Sequence, residues 1–366
     1  HMNQVQDNRQ EREGGRLVSL DFFRGFTMLL LVNGGVLHYF ARPQFEGTIA
    51  HAVFTQFTHP EWEGFHLWDL VQPFFMFIVG VAIPFSIAGR LSRGQTWSEL
   101  TKHAAQRSII LILLGITLDA GIENFNLTFQ NVLAQIGFTY FIAFLLIRSR
   151  WSVQLTVSIG LILVTEVLYR LFPMEGVDPF VKGQTFGDLV NRFIAPGSRD
   201  NWASFNAIPT AAHTIWGALC GQLLQKEFSG NKKLKILITG GLSALVVGYA
   251  LTPVSPVIKR ICTSSFVFIS GGWAILTLAL LYWIIDLKGH KRWTTFAVVV
   301  GMNSIFIYLF HPFIEDAAHS FTGPWINLLF GWTSRTFVEI TILATGWFLN
   351  WFVCYLLYKW KLFIKI

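Results

Sequence analysis

Residues 16–40 read RLVSLDFFRGFTMLLLVNGGVLHYF, and residues 65–80 read FHLWDLVQPFFMFIVG. Each segment supplies most of a membrane-crossing helix, which needs about 20 apolar residues to traverse the hydrocarbon core. The loop between them ends in FTHPEWEG, at residues 57–64, so a titratable histidine stands beside two apolar segments. This arrangement predicts an active site built into a membrane.

The composition of the whole chain agrees with that prediction. Apolar residues make up 53% of the 366 residues and charged residues only 13%, with 35 Phe and 14 Trp. A soluble domain has no need for so apolar and aromatic a sequence. The composition therefore predicts an all-α polytopic membrane protein. The three cysteines, Cys220, Cys262 and Cys354, are far apart in the sequence, so we expect them to pack rather than to form disulfides or bind a metal.

Ten apolar runs are long enough to cross a membrane, and boundary errors leave nine or eleven as alternatives. They lie near residues 20–40, 65–89, 107–123, 130–147, 152–171, 205–224, 235–252, 264–286, 293–313 and 336–358. We expect residues 1–16 to form a cytoplasmic tail and residues 17–366 a single transmembrane domain. No cleavage site follows a short apolar region near the N terminus, so the first span is expected to act as the targeting signal.

The positions of the basic residues predict the orientation. With the N terminus inside, most of the 28 Lys and Arg residues fall on the cytoplasmic side. The positive-inside rule therefore places both termini in the cytoplasm and explains the net charge of +7 without a nucleic-acid partner. The predicted outer loops are residues 41–64, 172–204, 252–263 and 315–335, and the second contains the amphipathic run FGDLVNRFI.

Polar side chains inside predicted spans are the first candidates for chemistry, because each is costly in a membrane and usually faces a cavity or a partner. By helical rise, Asn33, His213, Asn303 and His311 fall in the middle and outer half of the membrane. The outer end of the second span carries Asp69, and His59 precedes that span in the loop. Together these residues predict a site reached from outside.

Structural roles remain open for several of these residues. The Asn33-Gly34-Gly35 segment could simply allow two helices to approach closely. Asp21 and Arg24 are best explained as a helix cap and a local ion pair. His59 could anchor its loop, with Trp62 at the level of the lipid headgroups.

Five sequence blocks resemble a known family when taken in order. They are RLVSLDFFRGFTMLLLVNGG, HPEWEGFHLWDLVQPFFMFIVG, NVLAQIGFTYF, SPVIKRICTSSFVFISGG and GMNSIFIYLFHPFIE. The chain thereby resembles the transmembrane acetyltransferases related to heparan-alpha-glucosaminide N-acetyltransferase and its bacterial glucosamine-acetylating relatives. The resemblance implies transfer of an acetyl group from cytosolic acetyl-CoA to the amine of an amino sugar across the membrane, here the inner membrane of a bacterium.

The same resemblance implies roles for individual residues. His59 matches the family's active histidine, and Asn33 and Asn303 match asparagines near the site. A neutral imidazole can accept a proton from the amine or carry the acetyl group itself. Asp69 is suited to orient His59, and an asparagine could donate to the thioester oxyanion. We assign acceptor binding to Trp62, His213 and His311, and acetyl-CoA binding to Arg24, Arg90 and Ser304.

Two departures from the family pattern qualify the resemblance. The lysosomal members carry an additional N-terminal lumenal segment that this sequence does not show, so we do not expect their polymeric substrate. Gln72 stands where the family pattern has an apolar residue, which affects local packing first.

Two other functions remain as alternatives. One is an acyltransferase that modifies a cell-envelope glycan or lipid, and the less favoured one is a sugar transporter, for which an internal repeat would be expected. The expected partners are acetyl-CoA, an amino sugar and the bilayer, with a homodimer as one option for the assembly.

Overall fold

The computed structural model describes residues 17–32, 34–120, 126–172, 178–196 and 202–363. Within those ranges the chain is helical and contains no β-strand, which confirms the predicted all-α class. Five described helices are long and apolar enough to cross a membrane, and a sixth span is added if one bent helix pair is counted as a unit. The count of ten spans and the orientation of the termini stay predictions.

The helices are numbered here in chain order. They are α1 Val18–Val32, α2 Gly34–Tyr39, α3 Ile49–Phe54, α4 Val71–Leu91, α5 Trp97–Ala120, α6 Val132–Leu146, α7 Trp151–Leu171, α8 Phe186–Ile194, α9 Ala207–Gln225, α10 Gly230–Leu251, α11 Ser264–Leu281, α12 Thr295–Gly301, α13 Ser304–Phe330 and α14 Arg335–Lys359. A 3₁₀ turn, Leu67–Leu70, leads into α4, and a second, Lys259–Ile261, precedes α11. A π-helical turn, Tyr282–Leu287, continues α11.

Helix α4 lies at the centre of the bundle and contacts α1, α6, α9 and α11. Its closest neighbour is α9, and glycines make that approach possible. A Cβ atom at Gly80 would overlap the Thr214 carbonyl, and one at Gly217 would overlap the Phe77 carbonyl. Small residues at such crossings let two membrane helices pack backbone to backbone. The central position of α4 places its two ends in two separate cavities.

The prediction of an outer loop at residues 315–335 is wrong for most of those residues. Helix α13 continues through it to Phe330 and contains Pro312 and Pro324 in its interior. The prediction gave too much weight to glycine and proline as helix breakers, although proline is tolerated in membrane helices when neighbours supply the lost hydrogen bonds. Phe321 and Trp325 are 76% and 67% exposed on this helix, which an apolar surrounding would favour.

One predicted span is bent, and another begins earlier than expected. The first predicted span contains α1 and α2, and Asn33 between them lies outside the described residues. The ninth bends by 77° between the segment Arg292–Gly301 and α13. The third begins at Trp97 rather than near residue 107. The amphipathic run at residues 186–194 does form a helix, α8, which begins with a capping box between Thr185 and Asp188.

Candidate active site

The functional candidate with the most defined geometry is the pair His59 and Asp69. The Nδ1 atom of His59 lies 2.6 Å from Oδ1 of Asp69, and the other carboxylate oxygen accepts a hydrogen bond from the His66 backbone N–H at 2.9 Å. Asp69 belongs to the 3₁₀ turn before α4, and its side chain is fully buried. The loop is fixed from the other side by a 2.9 Å bond from the Gly64 N–H to the Val257 carbonyl. Asp69 therefore lies within hydrogen-bonding distance of His59, and its role in orienting that ring stays a prediction.

A lysine that the sequence reasoning did not identify completes this cluster. The Lys259 ammonium lies 3.7 Å from Asp69 Oδ1 and 3.5 Å from His59 Nδ1, and its side chain is only 10% exposed. The indole of Trp202 faces both groups. Its ring centroid is 5.5 Å from Lys259 Nζ and 5.6 Å from the His59 ring centroid. The sequence did offer one signal for Lys259. It is a basic residue in a predicted outer loop, whereas most other Lys and Arg residues lie on the predicted inner side.

The protonation states follow from this environment. Burial lowers the pKa of His59 below 6.5, the hydrogen bond to Asp69 opposes that shift, and the Lys259 cation reinforces it. Burial also lowers the pKa of Lys259 to about 8, although the Asp69 carboxylate favours the charged amine. At neutral pH the cluster therefore contains a neutral imidazole between a carboxylate and an ammonium group. Because the ionised carboxylate accepts from Nδ1–H, the hydrogen-bond network assigns the free lone pair to Nε2.

These groups line a cavity of about 360 Å³, called the histidine cavity below. Side-chain amides form much of its polar wall, together with two tryptophans. The lining residues are Leu31, His59, Trp68, Val71, Gln72, Phe75, Gln130, Val132, Gln135, Trp202, Asn206, Lys259 and Tyr308. The Oδ1 atom of Asn206 is buried and has no hydrogen-bond partner among the described residues. A ligand with hydroxyl or amine donors would satisfy it.

A second cavity, of about 560 Å³, is called the arginine cavity. Its basic lining residues are Arg24, Arg90, Arg93, His103 and Arg107. The Nη2 atom of Arg90 lies 2.9 Å from His103 Nε2. Arg107 stacks over the Tyr140 ring at 5.0 Å, and its buried Nε atom has no hydrogen-bond partner in the described part of the chain. Several guanidinium groups around one cavity favour a ligand with phosphate groups.

The two cavities share a wall. Phe75, Val132 and Tyr308 line both of them. Helix α4 with its preceding 3₁₀ turn connects their far ends, since Asp69 and Arg90 are separated by about 30 Å at the usual helical rise. That distance matches the thickness of a bilayer's hydrocarbon core, roughly 30 Å. A ligand held by the arginines that extended from one cavity to the other along this shared wall would approach His59.

The structure places the predicted site residues in different surroundings. Arg24, Arg90 and Ser304 line the arginine cavity, where acetyl-CoA binding was expected. Asn303 is fully buried at the bend before α13, between two residues that line that cavity, and it does not itself line either one. Asn33 lies outside the described residues.

The three predicted acceptor-binding residues do not line the histidine cavity. His213 is fully buried and bonded through its ring nitrogens to Thr210 and Ser270, at 3.0 and 2.9 Å. The ring of His311 donates to the Tyr308 carbonyl at 3.0 Å. Trp62 donates from Nε1 to the Phe180 carbonyl at 2.8 Å, and both residues line a separate groove. Their proposed contact with the acceptor stays a prediction, and the geometry favours Gln130, Asn206 and Trp202 instead.

No group of three or more His, Cys, Asp or Glu side chains that could hold a metal ion occurs among the described residues. The three cysteines are buried and free. The absence of a metal cofactor stays a prediction.

Known proteins resemble this chain along almost all of its length. The human and mouse heparan-alpha-glucosaminide N-acetyltransferases are 27% and 25% identical to it over 431 and 437 aligned positions, which include 96% and 99% of the chain. The chain is thus similar in sequence to these two acetyltransferases. A family model described as "Domain of unknown function (DUF5009)" also matches residues 16–186, which include His59 and Asp69.

The match covers only part of those acetyltransferases. The chain spans about 60% of the length of the human protein and 62% of the mouse protein. The resemblance predicted from five sequence blocks is thus supported by alignments over nearly the whole chain.

Proposed function

We propose that the chain transfers the acetyl group of acetyl-CoA to the amine of an amino sugar, with acetyl-CoA entering from the cytoplasm and the acceptor from the opposite face of the membrane. The observation that carries the proposal is the pair of cavities that meet at Phe75, Val132 and Tyr308. One cavity is lined by arginines and the other by a neutral, carboxylate-bound histidine. An acetyl donor and an acceptor held in these cavities would meet at their shared wall.

The arginine cavity suits the coenzyme part of the donor. Arg24, Arg90 and Arg107 offer guanidinium forks, which pair well with phosphate oxygens. The buried, unsatisfied Nε of Arg107 is an observation of the protein alone that favours an anionic ligand. The lining then becomes apolar toward Phe75 and Val132, which suits the narrow pantetheine arm. By the positive-inside rule, this end faces the cytoplasm.

The histidine cavity suits the chemical step. The Nε2 lone pair of His59 can accept a proton from the acceptor amine as that amine attacks the thioester carbonyl and the CoA thiolate leaves. Alternatively, Nε2 can attack the carbonyl first, release the thiolate and then pass the acetyl group to the amine. In both routes the ring becomes positively charged, and Asp69 stabilises that charge at 2.6 Å. Asn33 and Asn303 remain candidates for donors to the developing oxyanion.

The remainder of the histidine cavity suits a polyhydroxylated acceptor. Gln130 and Asn206 present amides, and Trp202 presents an aromatic face beside His59. Gln72, the departure from the family pattern, also lines the cavity and donates to Gln135 and Thr210 at 2.7 and 3.0 Å. We therefore propose that Gln72 influences which acceptor is used, in addition to its role in packing.

The test measures release of free CoA thiol by the purified protein in detergent. Acetyl-CoA is supplied with glucosamine, with a glucose control, and with no acceptor. His59→Ala is compared with His51→Ala, which removes a histidine from the same loop outside the cavity. Release that requires glucosamine and is lost only in His59→Ala supports the proposal.

The same experiment separates the alternatives. An increase in Tm with CoA, expected because a ligand of the native state stabilises it by mass action, would establish donor binding. CoA binding without glucosamine-dependent thiol release would favour an acyltransferase for a cell-envelope glycan or lipid. A chain that does not bind CoA but binds sugars would refute the proposal and favour a transporter.

A further inference from the structure

A buried lysine next to the reacting histidine requires an explanation, because a cation is expensive to remove from water unless it has a partner. The ammonium of Lys259 shares one carboxylate oxygen, Asp69 Oδ1, with the imidazole of His59. Its distance of 3.5 Å from Nδ1 of that ring is an electrostatic contact, because both nitrogens carry hydrogens when the carboxylate is ionised.

The backbone fixes Lys259 in this position. Its 3₁₀ turn ends at Cys262, whose φ of 55° lies in the left-handed region. The neighbouring Arg260 carbonyl accepts hydrogen bonds from the Ala203 N–H at 3.1 Å and from Asn206 Nδ2 at 2.6 Å. The turn is thus joined to the segment that carries Trp202, which fixes the backbone position from which the Lys259 side chain reaches His59.

We propose that Lys259 is a positioning residue that keeps the His59 imidazole uncharged by neutralising Asp69, and that it thereby sets the pH at which His59 can take up a proton. The inference rests on the proposed function in that His59 is the group that accepts a proton or the acetyl group. Without Lys259, the buried carboxylate would keep the ring protonated up to a higher pH, and a protonated ring can neither accept a proton nor attack a carbonyl.

Other charged or titratable groups also face His59 and can affect the pH at which it is protonated. They are Asp69 and His66 on the turn before α4, Arg260 beside Lys259, and Tyr308 across the cavity. Arg260 provides a matched control, because it has the same charge, is the next residue along the chain and also faces Trp202 at 5.5 Å.

The experiment measures how readily His59 reacts with diethyl pyrocarbonate as a function of pH, using the full-length protein in detergent. A neutral imidazole nitrogen attacks a carbonyl of this reagent, an N-carbethoxy group forms, and ethanol and carbon dioxide are released. Peptide mass spectrometry gives the extent of modification at His59, with His51 as an internal reference. The variants are Lys259→Met, Lys259→Arg and Arg260→Gln.

In Lys259→Met the midpoint of His59 modification should rise by about one to three pH units, since a charge near 4 Å acts strongly at an effective dielectric constant of about 20. Lys259→Arg should keep the midpoint near that of the wild type, and Arg260→Gln should move it much less than Lys259→Met. A structural role for Lys259 would not produce rescue by arginine. An unchanged His59 midpoint in Lys259→Met overturns the inference.

If Lys259→Met does not fold, Lys259→Gln takes its place, because it keeps a polar side chain beside Asp69 without the charge. The midpoint should again rise above that of the wild type, and an unchanged midpoint overturns the inference. The modification needs neither acetyl-CoA nor an acceptor. A shifted midpoint without thiol release would therefore refute the proposed function alone, while thiol release with an unshifted midpoint would refute the role of Lys259 alone.

Discussion

Replacing Asp69 by asparagine is expected to remove most of the transferase activity while the protein remains folded. Asparagine preserves the size of the side chain and can still accept the bond from the His66 N–H. Its amide NH₂ would then face Nδ1 of His59, now 2.6 Å from Oδ1, and two donors cannot bond to each other. The ring would place its proton on Nε2, so the nitrogen that faces the substrate would no longer be a base.

The size of the effect follows from the same distances. Interaction of unit charges near 4 Å is worth about 4 kcal/mol at an effective dielectric constant of about 20, and the nearby Lys259 cation offsets part of it. A loss of about 2–4 kcal/mol in transition-state stabilisation corresponds to a decrease in kcat/KM of roughly 30-fold to 1,000-fold.

The assay is the initial rate of CoA thiol release, with the Tm of each protein measured in parallel. Glu61→Gln is the matched control, since Glu61 is a loop carboxylate whose side chain is 90% exposed and pairs with Lys182 at 3.2 Å. Surface pairs of this kind contribute little. An Asp69→Asn rate equal to that of Glu61→Gln would refute the role of the carboxylate.

Three further predictions concern packing, donor binding and pH. Gly80→Val should prevent stable folding, because the added side chain would collide with the backbone of the facing helix. Gly160→Ala should leave the Tm nearly unchanged, because the space around Gly160 is open. Expression level and thermal melting test both variants. Arg90→Gln should raise KM for acetyl-CoA more than it lowers kcat, and the exposed Arg150→Gln, outside the cavity, should do neither in steady-state assays. Activity should increase as the pH rises through a His59 pKa below 6.5, because deprotonation creates the reactive imidazole. The test is a pH–rate profile that is corrected for titration of the acceptor amine. A rate that still rises above pH 7 would contradict the prediction.

The helical class could be predicted because apolar runs of membrane length have few alternatives to helix. The extent of individual helices was less accessible. Gly323 and Pro324 are residue types that commonly end helices, yet both lie inside α13. The bend of 77° before that helix was likewise not predicted from the sequence.

The site was predictable where chain proximity brings residues together. His59 and Asp69 are ten positions apart, and a short loop joins them. Lys259 is 200 positions from His59, so only the folded chain reveals their contact. Helical rise gave the depth of His213 in the membrane but not the direction of its side chain, which points into a hydrogen-bonded core instead of the histidine cavity.

The shared wall of the two cavities has a consequence for permeability. Under the proposed function the protein takes substrates from both faces of a membrane and must still prevent ions from crossing. Among the described residues, only Phe75, Val132 and Tyr308 line both cavities. Two aromatic rings and one branched aliphatic side chain thus form the apolar boundary at which the two cavities meet. Removing the ring in Phe75→Ala would join the two cavities. Ions could then leak across the membrane, in addition to any loss of acetyl transfer. We therefore expect the residues of this wall to be constrained by the need to prevent ion leakage as much as by catalysis.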